Sequence, residues 1–278
     1  PHKDYFMVAF PKSPEQILVN ALYKSYEKTE SLSFSRLGAS GIGEECIRKI
    51  WFNWRGFSKK QFEGRILRLF ETGHLQEERV IQDLIRSGKD VYFVNDYGSQ
   101  YEFEHDSGHF ICKADGVIKH QDKNHLLEIK THNKKSFSAL QRHGVEKSKP
   151  VHYSQMQISM YLGHFTRGLY VSLCKDDEHY YVERIKEDKT HQKSLIKKIE
   201  SLINARMRPT GISEDASIFA CKFCDHKDVC VKKTKPLFHC RTCVNSIPVH
   251  NGGWNCDLHN TLLNKQQQLI GCEDYQGL

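Results

Sequence analysis

Between Asp90 and Thr131 the sequence places four short β-rich runs, "DVYFVND", "SQYEFEHD", "GHFICKADGVIKH" and "NHLLEIKT", separated by turn residues. Helical spacing brackets them on both sides. "KKQFEGRILRLFETGHLQEERVIQDLIRSG" stops at Gly88, and "VHYSQMQISMYLGHF" follows the last run. Two further strands, "GLYVSLCK" and "HYYVERIKE", lead into the basic amphipathic helix "DKTHQKSLIKKIESLINARM", which Pro209 and Gly211 end. Upstream, "PEQILVNALYKSYEK" reads as a helix. A Ser/Gly-rich loop then leads to an aromatic, basic helix that begins near Glu44. Strands threaded between helices exclude an all-α or all-β chain. They predict an α/β fold with a central mixed β-sheet flanked by helices.

The end of the chain has a different chemistry. Seven of the ten cysteines lie after residue 220, and six of them fall in "CKFCDHKDVC" and "CRTCVNSIPVHNGGWNCDLH". CxxC pairs with nearby histidine are ligand spacing, not a disulfide framework, and they point to a reducing, cytoplasmic setting. The expected organisation is an N-terminal helical region over 1–60, an α/β core over 61–210 and a cysteine-rich metal-binding region over 211–278. No apolar run approaches the about 18 residues of a membrane span, and "PHKDYFMVAFPKS" lacks a signal peptide's apolar segment. A net charge of +7 suits a polyanionic partner.

Within the strands, "HLLEIKT" sets Glu128 and Lys130 on one face, with Leu127 and Ile129 on the other. Alone, the couple reads as a same-face ion pair. Asp115 comes upstream, before Gly116, where a strand can end or kink. On the preceding helix the series Phe70, His74, Glu77, Ile81, Leu84 follows one helical face. A His and a Glu on such a stripe must be paired or line a cavity. Carboxylates held close raise each other's pKa unless a cation sits between them. Mg²⁺ or Mn²⁺ suits such a site, with a lysine beside to orient water or stabilise charge, which is what phosphodiester hydrolysis needs.

Asp115 followed by Glu128-x-Lys130 resembles the core motif of the PD-(D/E)xK nuclease superfamily, in its RecB-like and lambda-exonuclease-like branch. "KADG" stands where the nominal motif has Pro-Asp. "ETGHLQEERV" is similar to the branch's upstream motif, which implies His74 (RecB-like version) or Glu77 (lambda-exonuclease-like version) as a further metal ligand. "QISMY" resembles its QxxxY signature, which implies that Gln157 and Tyr161 touch DNA or hold the catalytic lysine. The resemblance implies a restriction-endonuclease-like core and a metal-dependent DNA nuclease. It also implies an exonuclease of recombination, repair or phage DNA processing, in a bacterial or phage-infected cytoplasm. Its partners would be single-stranded DNA or duplex ends, and a recombination or replication protein. The alternative is a non-catalytic nucleic-acid-binding or assembly module with a metal-stabilised nuclease-like fold. Phosphate-tracking cations were expected on "CIRKIWFNWRG" and "KKIESLINARMR", with Trp51 and Trp54 either stacking on bases or packing in the core.

Cys221, Cys224 and Cys230 form a metal site short of one ligand, for which His226, Cys46 and Cys240 are candidates. The iron–sulfur members of the RecB-like group, including the CRISPR-associated adaptation nuclease and the AddB subunit, join three such thiols to one upstream of the core. That resemblance implies a [4Fe–4S] cluster on Cys46, Cys221, Cys224 and Cys230, and Zn²⁺ would accept the same sulfurs. Further on, Cys240-x2-Cys243 and Cys256-x2-His259 have the spacing of a small zinc ribbon, with His239 and His250 as substitutes. Cys112, Cys174 and Cys272 fit no ligand pattern.

Overall fold

A computed structural model describes residues 13–27, 34–59 and 62–278. The stretch read for a signal segment, 1–12, lies outside the described residues, as do 28–33 at the start of the Ser/Gly-rich loop. The chain divides into two compact units, Pro1–Ser31 with Gln61–Leu75, and Leu32–Lys60 with Gln76–Leu278. These do not follow the expected division at 60 and 210. The aromatic helix near Glu44 belongs with the core and the tail because they share one apolar cluster.

In the first unit, helix α1 (Pro14–Lys24) starts at Ser13, whose hydroxyl accepts from the Gln16 N–H, with Pro14 in its first turn. In the second unit, β1 (Leu37–Gly38) leads to α2 (Ala39–Ile42) and then α3 (Ile47–Arg55). Helix α4 (Gly64–Arg86) crosses from the first unit into the second. Strands β2 (Val91–Tyr92), β3 (Tyr101–Glu104), β4 (Phe110–Ala114), β5 (Gly116–His120) and β6 (Lys123–His132) follow. After them come α5 (Lys134–Ser148), α6 (Pro150–Leu162), β7 (Arg167–Cys174), β8 (Tyr180–Lys186) and α7 (Lys189–Asn204).

The central sheet has the order β2-β5-β6-β7-β8, parallel only between β6 and β7 and antiparallel elsewhere. The expected mixed sheet flanked by helices is present. One face of β6 presents Leu127 and Ile129 to Val80 and Ile81 of α4. On its other side Leu126 packs with Leu140 of α5 and with Met156 and Met160 of α6. Strands β1, β4 and β3 form a second small sheet, so the chain changes sheets at Asp115, between β4 and β5.

The tail carries the short helices α8 (Phe219–Lys222) and α9 (Lys227–Cys230), and an antiparallel meander of β9 (Ser246–Pro248), β10 (Trp254–Cys256) and β11 (Thr261–Leu263). A last turn, α10 (Lys265–Gln268), begins with a capping box between Asn264 and Gln267.

Several expectations need correction. Helix α5 was not foreseen. It is nucleated by Asn133 accepting from the Ser136 N–H, but buries only Phe137, Leu140 and Val145 and is broken at Gly144, so its periodicity is thin. The apolar stripe on α4 holds only for its second half. Ile81 is buried, whereas Phe70 is 45% exposed and packs edge-on against Phe62. Trp51 and Trp54 are core residues, unavailable for stacking on bases.

Several of the cations expected to track phosphates are engaged within the protein, whereas Lys197 and Arg206 are exposed. Arg48 bonds to the Pro209 carbonyl and pairs with Glu214, and Arg55 is buried. Lys198 donates to the carbonyls of Ile42 and Glu44, satisfying the end of α2.

Candidate active site and thiol clusters

Strand alternation carries Glu128 and Lys130 to the same side of β6, and their side chains form an ion pair. Glu128 is 1% exposed, and its Oε1 also accepts from Gln155 Nε2 at 2.7 Å. Burial pushes its carboxyl up to about 7. Lys130 opposes that shift, and the negative charges of Asp115 and Glu77 add to it. Burial also disfavours charge on Lys130, but Glu128, Asp115 and Glu77 outweigh it and raise its pKa. Lys130 is therefore a fixed cation at neutral pH. Its Nζ also donates to the Ile129 carbonyl at 3.1 Å.

Asp115 is half-buried where the chain changes sheets, and its Oδ2 accepts from the Ile129 N–H at 2.7 Å. That bond fixes the carboxyl beside β6. Glu77, half-buried on α4, acts on both Glu128 and Lys130. Lys130 thus pairs with one carboxylate and lies within the field of two more, an excess of negative charge that suits a hard divalent cation. His74 is exposed and falls in the first unit, whereas the acidic group belongs to the second.

The structure does not bring Gln157 to this group. Gln157 is fully buried, donates to the Lys186 carbonyl at 2.8 Å and accepts from the Asp188 N–H at 2.9 Å, so it ties β8 to the start of α7. Tyr161 is 46% exposed. Gln155, two residues earlier, is the glutamine that meets Glu128.

Sequence reasoning also missed His132. It continues the face of Glu128 and Lys130, and period-2 spacing alone could have found it. Its Nε2 lies 2.9 Å from the Tyr170 hydroxyl, which is 2.8 Å from His152 Nδ1, and the two imidazoles stack at 5.8 Å. Burial, and then nearby lysines including Lys130, lowers His132 to about 4. Burial and Lys130 lower His152 to about 3.

Cys46, at the N-cap of α3, lines one cavity with Cys221, Cys224 and Cys230. Burial raises the pKa of Cys221, and the other three thiols add to the shift, so a bound cation would offset their crowding. Arg48 donates to Cys230 Sγ at 3.3 Å. Of the other fourth-ligand candidates, His226 lines the same cavity, with Nε2 2.9 Å from Asn53 Oδ1, whereas Cys240 lines a separate one. Four thiols around one space fit an iron–sulfur group or zinc by donor chemistry. The second cavity is lined by Cys240, Cys243, Cys256, Cys272, His259 and Asp274, among others.

No family model matches the chain, and no curated protein matches it. Among solved structures it is similar to an alkaline exonuclease from Laribacter hongkongensis, at 19% identity and TM-score 0.46, over 60% of this chain and 85% of that one. It is also similar to the protein SSO0001, at 15% identity and TM-score 0.46, over 78% of this chain and 98% of that one. A third is a phage-related exonuclease from Haemophilus somnus 129PT, at 12% identity and TM-score 0.44, over 61% and 92%.

Proposed function

We propose that this chain is a divalent-metal-dependent deoxyribonuclease, an exonuclease acting on DNA ends in recombination, repair or phage DNA processing. The observation that carries the hydrolytic reading is the ion pair of the buried Glu128 with the half-buried Lys130, on which the charges of Asp115 and Glu77 also act. Asp115, Glu128 and Glu77 would hold Mg²⁺ or Mn²⁺. The cation, when bound, supplies positive charge that polarises the phosphodiester and acidifies water. Lys130, paired with Glu128, orients the attacking water or stabilises charge on the phosphate. Gln155 and the Ile129 N–H hold Glu128 and Asp115 at fixed positions, so little reorganisation is needed on binding. Outside this group, Arg167, Arg184 and Lys186 line one groove and offer phosphate contacts.

The thiols of Cys46, Cys221, Cys224 and Cys230 would carry a [4Fe–4S] cluster in a structural role, with Zn²⁺ as the other metal they accept.

Asp115→Asn and Lys130→Ala test the reading. Each should lower Mg²⁺-dependent cleavage of end-labelled DNA by about 10²-fold or more, with thermal stability and DNA affinity retained. Turnover at the wild-type rate in either variant would overturn the catalytic assignment.

A further inference from the structure

The spacing of the second cysteine group points to His259 as its fourth ligand and leaves Cys272 without a role. The folded chain argues otherwise. The segment carrying Cys272 is bonded to the CxxC loop on both sides of that residue. Cys240 N–H donates to the Ile270 carbonyl at 3.0 Å, Val244 N–H donates to the Gln276 carbonyl at 2.8 Å, and Cys243 bridges to Gly277. These bonds hold Cys272 against the loop, and its side chain lines the same cavity as Cys240, Cys243 and Cys256. Gln276 N–H points at Cys243 Sγ at 3.5 Å, the kind of backbone N–H···S bond that stabilises a thiolate.

His259 is engaged differently. Its Nε2 is 3.2 Å from Asp274 Oδ2, and among the described residues His259, Cys272 and Asp274 are the one trio whose donor atoms all lie within 4.8 Å of one another. The Asp274 carboxylate thus already engages Nε2 of His259, the ring nitrogen remote from the backbone.

We propose that Cys240, Cys243, Cys256 and Cys272 form a four-thiolate zinc site, and that His259 with Asp274 is the supporting pair beside Cys272. Four soft thiolates in one small pocket suit Zn²⁺ held tetrahedrally, in a closed, structural centre. The site clasps the end of the chain to the meander, independently of any nuclease activity. It also sits against α3. Arg55, in the last turn of that helix, donates to the carbonyls of Arg241, Cys243 and Ser246 around the CxxC loop.

The test is made on the full-length protein. X-ray absorption at the zinc edge should show a shell of sulfur alone at about 2.3 Å; a shell of three sulfurs and one nitrogen would overturn the proposal. Elemental analysis of variants gives an independent arm. Cys272→Ser should lose one zinc per chain, whereas His259→Ala should retain the wild-type count. Loss of zinc in His259→Ala with retention in Cys272→Ser would overturn it, and so would wild-type protein that binds no zinc. The absorption measurement needs no variant and stands even if Cys272→Ser fails to fold.

Discussion

Gln155 and Gln157 stand two residues apart on α6 and have different jobs. Gln155 bonds the carboxylate of Glu128, whereas Gln157 ties β8 to α7. Hydrogen bonds to a charged group are worth about 1.5–3 kcal/mol. Gln155→Ala should therefore lower metal-dependent cleavage by about tenfold or more as well as lowering melting temperature. Gln157→Ala should cost about 1–3 kcal/mol of stability by stranding buried backbone groups, while the folded fraction keeps its rate. Equal effects of the two changes on rate would sink this division. The pairing of Glu128 with Lys130 was legible in the sequence because a strand has a fixed period of two. The choice between the glutamines was not, because every residue from Ser154 to Met160 is buried and α6 has no polar face to set its rotation.

The elements turn on the passage from β4 to β5. The Asp-Gly pair marked a strand end or a kink in the sequence, and a kink is what forms, but the change of sheet there has no local signature. It depends on β3 and β1 arriving from other parts of the chain to pair with β4. Gly116 has φ +158°, and a Cβ there would lie 2.8 Å from the Tyr92 carbonyl oxygen and 3.3 Å from Phe93 Cα. Backbone, not a flexible side chain, occupies that space. Gly116→Ala must push β2 away from β5 and should cost about 1–3 kcal/mol. The shift would also displace Asp115, so cleavage should fall together with melting temperature. A variant with wild-type values of both would show that the close approach is not limiting. Helix α4 illustrates the opposite failure of sequence reading. One unbroken helical pattern spans two units, and its apolar stripe is buried only from Val80 onward.

Over the molecule as a whole, composition overstated the charge available to a partner. Arg55 and Arg241 are buried, and among the described residues neither pairs with a carboxylate. They bond main-chain carbonyls and lie over the Trp254 ring at 5.0 and 4.3 Å. Arg208 bonds the carbonyl of Leu278. These cations join α3 and α7 to the tail, which is why the tail packs with the core and not as an appendage. Histidines are internal in the same way. His109, His125 and His132 are buried and His152 is half-buried, and burial lowers the pKa of all four. The sign follows from proton counting. Below the ordinary imidazole value of 6.5 the unfolded chain takes up protons that these folded imidazoles refuse. Their contribution to stability is fully present above that pH. It is lost as pH falls, until about 4 for His132 and about 3 for His152. Each histidine can contribute a slope of up to about 1.4 kcal/mol per pH unit within its window. Melting temperature should hold steady from pH 8 to 7 and fall steeply from 6.5 towards 5. His132→Gln together with His152→Gln should flatten that fall, at some cost to stability at neutral pH. A double variant with an undiminished acid slope would place the proton-linked loss elsewhere in the molecule.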